Sequence, residues 1–127
     1  ADINAAAFIT TSFDASDGGN IDIRLTFNEK VTVVTTGGTP TIAVTNDQTG
    51  SGTDATFTAA YQSGSGTNRL TFRKTYGAGD GGVADTDVLS IASQNIVLNS
   101  GTIKDTGTAV NSGVAVPAGS GTLTVVA

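Results

Sequence analysis

The chain has 127 residues, a length that suits a single domain burying about two thirds of its unfolded surface. It has no Cys, His, Met or Trp, so disulfides and thiol chemistry are excluded, and the commonest general base and zinc ligand are missing. With a net charge of −5 and only six Lys and Arg residues, its composition offers no basic patch for a nucleic-acid backbone. We therefore expect neither an enzyme nor a nucleic-acid-binding protein.

Polarity in this chain comes mainly from Thr, Ser, Gly and Asn. Charged residues make up 13% of it, against roughly 25% in ordinary soluble domains. No apolar run approaches the length of a membrane span, and the chain does not begin with a basic segment followed by an apolar one. We expect no membrane partner.

The first predicted element covers residues 1–13. Phe8 falls on one face of a strand, whereas Ile9 and Phe13 fall on the other, among polar neighbours. Two interpretations fit this pattern. The segment is either a first strand that crosses from one sheet to another or an N-terminal arm that lies on a neighbouring subunit.

Alternation of apolar and polar residues continues along the chain, as in strands with one buried face. It begins at Ile21, reappears in short segments at 88–91, 96–98 and 114–116, and predicts a final strand within 118–127. No window shows helical spacing, and 17 glycines would weaken any helix. Many short strands separated by turn signals predict one all-β domain over residues 1–127, an antiparallel β-sandwich. Its predicted core includes Ile23, Leu25, Phe27, Val33, Ile42, Val44, Phe57, Leu70, Phe72, Leu89 and Ile91.

The segment YQSGSGTNRLTF (61–72) places two glycines between apolar stripes. A phosphate-binding loop would need a helix after it and a Gly-Lys-Ser/Thr ending, and the sequence has neither signal. We predict a hairpin that pairs Ala55–Tyr61 with Leu70–Tyr76 and turns at Gly64–Thr67. Glycines supply the positive φ angles that such turns require.

Five segments then carry a family resemblance: GNIDIRLTFNEKVTV (19–33), TPTIAV (39–44), AAYQSGSGTNRLTF (59–72), Gly79-Asp80 and IKDTG (103–107). Their order resembles a family of bacterial and phage immunoglobulin-like repeats. These repeats occur in tandem in large surface adhesins, and related single domains occur among virion proteins of tailed phages. The resemblance covers about residues 18–113 and implies an immunoglobulin-like antiparallel β-sandwich with a role in display or adhesion.

Lys74 departs from the family pattern, which has an aromatic or apolar residue on the face shared by Leu70, Phe72 and Tyr76. A lysine there must extend its ammonium to the rim or meet a partner. Tyr76 is open to two interpretations, as a core residue or as an anchor on a binding surface. The loop at 106–110 also lacks the Gly-Asn that is usual in the family.

Asp80, Asp85 and Asp87 lie close together in the segment GDGGVADTDVLS (79–90). Calcium prefers oxygen ligands from flexible loops, so these aspartates are candidate calcium ligands, although their spacing does not match an EF-hand. Aspartates in polar turns also serve as turn formers, and we expect no required cofactor. Glu29 paired with an aspartate would resemble a glycosidase pair, but there is no aromatic sugar platform nearby.

Two functions remain. The first is a structural virion protein, a decoration or cement subunit on the outer surface of a tailed-phage capsid, with the major capsid protein and copies of itself as partners. The alternative is a module of an adhesin on a bacterial cell surface, binding a cell-surface or glycan ligand. A start at Ala1, as after removal of an initiator Met, and a strand-like end without a following repeat favour the virion protein. The candidate contact residues are Phe8, Ile9, Lys74, Tyr76, Val125 and Val126.

Overall fold

The protein consists of β-strands joined by turns and loops. A computed structural model describes residues 1–48 and 53–127, with side chains for 1–48 and 55–127. No helix occurs in these ranges, and hence none long and apolar enough to cross a membrane. The all-β class predicted from the sequence is confirmed. The strands are β1 (Ile3–Phe8), β2 (Phe13–Asp14), β3 (Gly19–Val34), β4 (Thr41–Gln48), β5 (Thr53–Ser63), β6 (Thr67–Tyr76), β7 (Val88–Ser90), β8 (Gln94–Asn95), β9 (Thr102–Asp105), β10 (Ala115–Val116) and β11 (Leu123–Val126).

Nine of these strands form one curled, mixed sheet in the order β1-β3-β6-β5-β4-β7-β11-β2, with β9 paired to β3. A second, two-stranded sheet joins β8 to β10. We call β1, β3, β6 and β9 the front half, and β5, β4, β7, β11 and β2 the back half. Inward side chains of both halves belong to one hydrophobic cluster, so the curl brings the halves face to face.

The core follows from alternation, most clearly in β3. From Ile21 to Phe27 its odd-numbered side chains are at most 1% exposed, whereas the even-numbered ones face outward. Burying one such side chain contributes about 1.5–3 kcal/mol, so the four together contribute about 6–12 kcal/mol before the entropy cost of ordering the chain is subtracted. The predicted core residues are all buried except Val33 and Phe57, which are half-buried against the cluster.

The N-terminal segment contacts both halves of the sheet. β1 pairs with β3 in antiparallel register, with Phe8 opposite Ile23, and β2 then pairs with β11 in parallel, with Phe13 opposite Val125. Phe8 and Phe13, from opposite faces of this segment, therefore pack against the protein's own strands, whereas Ile9 is exposed.

The predicted hairpin is present, but it is shorter than predicted. Its turn lies at Gly64–Thr67, where the Thr67 amide donates to the Gly64 carbonyl oxygen at 3.0 Å. β5 and β6 pair only near the turn, from Ser63 opposite Thr71 to Ala60 opposite Arg73. The predicted pairing of Ala55–Ala59 with β6 is wrong, because the front and back halves separate here and these residues pair with β4 alone.

One side chain completes an edge of β4. β7 covers β4 from Thr45 to Asp47, and an isolated bridge joins Thr41 to Val97. Between these contacts, the Ala43 amide donates to Gln94 Oε1 at 2.7 Å, and Gln94 Nε2 donates to the Ala43 carbonyl oxygen at 2.8 Å. The side-chain amide of Gln94 thus replaces a main-chain peptide in the ladder.

The two ends of the chain lie toward opposite ends of β3. The α-amino nitrogen of Ala1 lies 3.1 Å from Glu29 Oε1 and donates a hydrogen bond to Asp105. Val126 pairs with Asp14, just before the turn that leads into the start of β3. At about 3.3 Å per residue, the two positions are separated by on the order of 30 Å along β3.

Candidate interaction surfaces

Tyr76 lies in the core at the end of β6 and is 8% exposed. Its ring packs against Phe13 and, edge to face, against Phe57, with centroid distances of 6.1 and 5.6 Å. Burial, and to a lesser extent the charge of Asp80, raises the pKa of its phenol. Of the two interpretations of Tyr76, the structure supports a core residue.

Lys74 occupies an inward position of β6, opposite Ile21. Its Nζ lies 5.0 Å from the centre of the Tyr76 ring, and the side chain remains half-buried. Such a cation–π contact contributes about 0.5–1 kcal/mol at a solvated site. The lysine therefore has a favourable contact within its own chain, and contact with a partner stays a prediction.

The apolar candidates near the two ends differ in exposure. Val125 is fully buried and Phe8 is half-buried, both within the protein's own core. Ile9 and Val126 are 37% and 48% exposed. These two residues offer the larger exposed apolar surface of the set.

Asp87 is the structural centre of the acidic segment, with only 3% of its side chain exposed. Its Oδ2 accepts hydrogen bonds from the Ala84 amide at 2.9 Å and from Asn46 Nδ2 at 3.1 Å. Asn46 Nδ2 also donates to the Gly82 carbonyl oxygen, whereas Asn46 Oδ1 is buried without a partner in the described residues. The carboxylate thereby ties the loop to β4.

Asp80 and Asp85 have separate environments. Asp80 Oδ2 accepts a hydrogen bond from the Gly77 amide at 2.7 Å, and Asp85 is exposed. Within residues 1–48 and 53–127, no three acidic residues lie where they would hold a metal ion together. Calcium binding by Asp80, Asp85 and Asp87 therefore has no geometric support in the described part of the chain.

The outer surface of the front half carries a cluster of arginines that sequence reasoning missed. Asp22 lies opposite Arg73, Arg24 opposite Thr71, and Thr26 opposite Arg69, so all three arginines point outward on adjacent rows. Diagonal neighbours in such a ladder lie about 7–8 Å apart. We call this surface the arginine face. It comprises Arg24, Arg69, Arg73, Asp22, Thr26 and Thr71, with Ala5 and Ala7 on β1.

The charges of the arginine face are only partly neutralised. Arg73 binds Asp22 through two hydrogen bonds, Nε to Oδ1 at 2.7 Å and Nη2 to Oδ2 at 3.1 Å. Arg24 and Arg69 form no ion pair with any described residue. Three arginines and one aspartate give the face a charge of +2, so the remainder of the −5 chain carries −7.

Negative charge concentrates where β3 begins. The turn at 14–18 meets the loop at 77–87 there, with the Gly79 amide donating to the Ala15 carbonyl oxygen at 3.2 Å. Hydrogen bonds from Ser16, first from its hydroxyl and then from its amide, lower the pKa of Asp14. We call this surface the acidic end. Its carboxylates belong to Asp14 and to the exposed Asp17, Asp80 and Asp85.

β5 leaves part of one edge uncovered. The Tyr61 amide donates to the Pro40 carbonyl oxygen, so odd-numbered residues of β5 direct their main-chain groups toward β4 and even-numbered ones away from it. Thr56 and Thr58 lie beyond the last pair with β6 and have no strand partner on that side among the described residues. Their side chains are exposed.

Comparison with known proteins gives no match to a protein-family model, a curated protein or a solved structure. No pocket is found in residues 1–48 and 53–127. The geometric features on which a function can be argued are the uncovered edge of β5, the arginine face and the acidic end. The sequence places Arg24 on the polar side of the β3 stripe, but it does not give the register with β6 that brings Arg69 and Arg73 beside Arg24.

Proposed function

We propose that the protein is a non-enzymatic decoration or cement subunit on the outer surface of a tailed-phage capsid, with an immunoglobulin-like β-sandwich as its fold. The family resemblance of segments 19–33 and 59–72 supports the fold and the setting. The crossing of β1 and β2 between the two halves is compatible with such a sandwich. A virion protein of this kind binds the major capsid protein and further copies of itself.

The uncovered edge of β5 is the observation that carries an assembly role. Free main-chain donors and acceptors on a strand edge are a template for added β-structure unless the protein covers them. The outer edge of β1 is covered in part by Ser120, whose amide donates a hydrogen bond to the Ala6 carbonyl oxygen. The outer edge of β9 is covered by residues 110–112. At Thr56 and Thr58 no such cover exists in the described chain. We assign this edge to an extended segment of the major capsid protein.

The test measures binding of the purified protein to phage heads, that is, capsids filled with DNA, that lack this protein. Thr58→Pro removes the outward amide donor but leaves the pairing with β4 intact, because Thr58 directs its main chain away from β4. Thr58→Val is the matched control, since it keeps the amide. We expect wild type and Thr58→Val to cosediment with heads and to raise the temperature at which DNA is released, and Thr58→Pro to do neither. Equal binding by all three proteins would contradict the assignment of this edge.

Substitution is preferable to truncation in this experiment. Removing residues 1–9 or 122–127 would delete β1 or β11, together with the buried side chains of Ala6 and Val125. Loss of binding by such a protein would report loss of folding.

A second candidate function is an adhesin module, and one observation favours it. Ala1 and Val126 lie toward opposite ends of β3, as a linear chain of linked modules requires. If the protein binds bacterial envelopes or glycans and does not bind heads, the adhesin function replaces the decoration function.

A further inference from the structure

We propose that the arginine face of one copy docks on the acidic end of a second copy. This contact rests on the proposed function, because it specifies how neighbouring subunits of a decorated surface touch one another. It is distinct from the edge of β5, which we assign to the capsid protein.

The arginine face is suited to binding carboxylates. Its guanidinium groups project from a regular three-stranded surface, so their spacing is fixed by the β3–β6 register. Arg73 is held in place by two hydrogen bonds to Asp22, whereas Arg24 and Arg69 have no carboxylate partner in the described residues. A planar guanidinium binds a carboxylate through two parallel hydrogen bonds, which gives direction as well as attraction.

Charge complementarity identifies a second copy as the occupant. The arginine face carries +2 in a chain whose remaining residues sum to −7, and exposed Asp17, Asp80 and Asp85 concentrate part of that charge at one end. A like-charged orientation, with two acidic ends in contact, is disfavoured. The oppositely charged surfaces of two copies therefore select one relative orientation.

The two surfaces differ in position, which determines the symmetry of the contact. The arginine face is the flank of the front half, and the acidic end lies beyond the start of β3. A contact between different surfaces of identical subunits is heterologous and repeats from copy to copy, forming a ring when the rotation closes. On a capsid, such contacts act together at high effective concentration even if each one is weak.

Charge-reversal variants test the contact. One variant, Arg24→Glu with Arg69→Glu, reverses the arginine face; a second, Asp17→Lys with Asp85→Lys, reverses the acidic end at two exposed aspartates. Sedimentation equilibrium is run at about 0.1 M and about 1 M salt, where the Debye length falls from about 10 Å to about 3 Å. Wild type is expected to self-associate at the lower salt and to dissociate at the higher. Each variant alone is expected to associate at least roughly tenfold more weakly, because like charges then meet at the contact.

Mixing the two variants provides the decisive measurement. The intact arginine face of the second variant meets the intact acidic end of the first, and the two reversed surfaces also match, so the mixture is expected to recover association. The matched control is Lys30→Glu with Lys104→Glu, which changes the net charge as the first variant does but lies outside the arginine face. The control is expected to associate like wild type.

Three results would overturn the proposal: wild type that stays monomeric at the lower salt, an arginine variant that associates like the lysine control, or a mixture that does not recover. Binding to heads is measured separately with the same proteins. If the arginine variant loses head binding while wild type shows no self-association, the arginine face binds the capsid protein instead. If no variant affects self-association but Thr58→Pro abolishes head binding, the proposed function stands without this contact.

Discussion

Two glycine-rich connections, the hairpin turn at 64–67 and the acidic loop at 77–87, look alike in sequence but are held in different ways. In the turn, the acceptors are carbonyl and hydroxyl oxygens: the Gly66 amide donates to the Val31 carbonyl oxygen at 2.7 Å, beside the Thr67 to Gly64 hydrogen bond. The hydroxyl oxygen of Ser65 also accepts a hydrogen bond from the Val33 amide at 2.9 Å. In the loop, aspartate side chains accept the main-chain amides of Gly77 and Ala84. A glycine is therefore critical in the first connection, and a carboxylate in the second.

The difference also explains which residues tolerate change. Within the turn, a Cβ at Gly64 would lie 2.1 Å from the Arg69 carbonyl oxygen, whereas a Cβ at Gly66 would meet no atom within 4 Å. In the loop, Asp87 is buried and Asp85 is exposed, although both look equivalent in sequence. In each connection, the surroundings allow little change at one of two similar residues, Gly64 in the turn and Asp87 in the loop.

The largest expected effect comes from the turn. Gly64→Ala combines a φ of 113° with a main-chain clash, and we expect it to lower the free energy of unfolding by about 3 kcal/mol or more. Gly66→Ala, at φ 87° in open space, is expected to lower it by about 1 kcal/mol. Urea denaturation of both variants measures the difference. Equal losses would show that the φ angle alone, and not the approach of Arg69, makes Gly64 necessary.

A smaller effect is expected in the loop. Asp87→Ala leaves the Ala84 amide and one Asn46 amide hydrogen without an acceptor in a buried site, so we expect a loss of about 2 kcal/mol. Asp85→Ala, at an exposed position, is expected to stay within about 0.5 kcal/mol of wild type. Asp87→Asn keeps an acceptor oxygen and should fall between them. Thermal unfolding of the three variants checks the order, and a loss in Asp85→Ala equal to that in Asp87→Ala would refute it.

The smallest expected effect is on the titration of Tyr76, whose ring lies beneath this loop near Gly82. Burial raises the pKa of the Tyr76 phenol in the folded protein. The protonated phenol therefore stabilises the folded state fully below the ordinary tyrosine pKa near 10, and this stabilisation is lost as the pH rises through the pKa of the folded protein. In a Tyr61→Phe background, where Tyr76 is the remaining tyrosine, phenolate absorbance should appear at a higher pH than in the unfolded chain. Asp80→Asn should lower the pH at which phenolate absorbance appears, part of the way toward the value of the unfolded chain. No shift between folded and unfolded protein would contradict burial as its cause.

The sequence predicted the all-β class and most of the inward-facing residues, because the alternation of apolar and polar residues follows burial directly. The stripes of β3 and β6 gave correct inward residues, and the turn glycines of the hairpin were correctly placed. The point where β5 leaves β6 was not predictable, because both continue as strands and only the curl of the sheet separates them. Of the strand predicted at 96–98, the structure shows only an isolated bridge from Val97 to Thr41, and the neighbouring strand β8 lies at Gln94–Asn95, where it pairs with β10.

The candidate surfaces were harder to predict, for a physical reason. Val125 is a predicted contact residue, and Tyr76 is open to two interpretations in sequence, but both are buried because their strands point them inward. The composition suggested no basic patch, yet the register of β3 with β6 brings Arg24, Arg69 and Arg73 onto neighbouring rows. A cluster assembled across strands far apart in the chain leaves no local pattern to read.

The parallel pairing of β2 with β11 has a consequence for how the protein bears mechanical load. Both strands run toward the acidic end, β2 connected to Ala1 through β1, and β11 leading to the C-terminal residue. A force that pulls the two termini apart draws β2 and β11 past each other along their length. The hydrogen bonds between them are then loaded together in shear instead of opening one after another. The protein is therefore expected to resist stretching along β3 more strongly than pulling across the sheet.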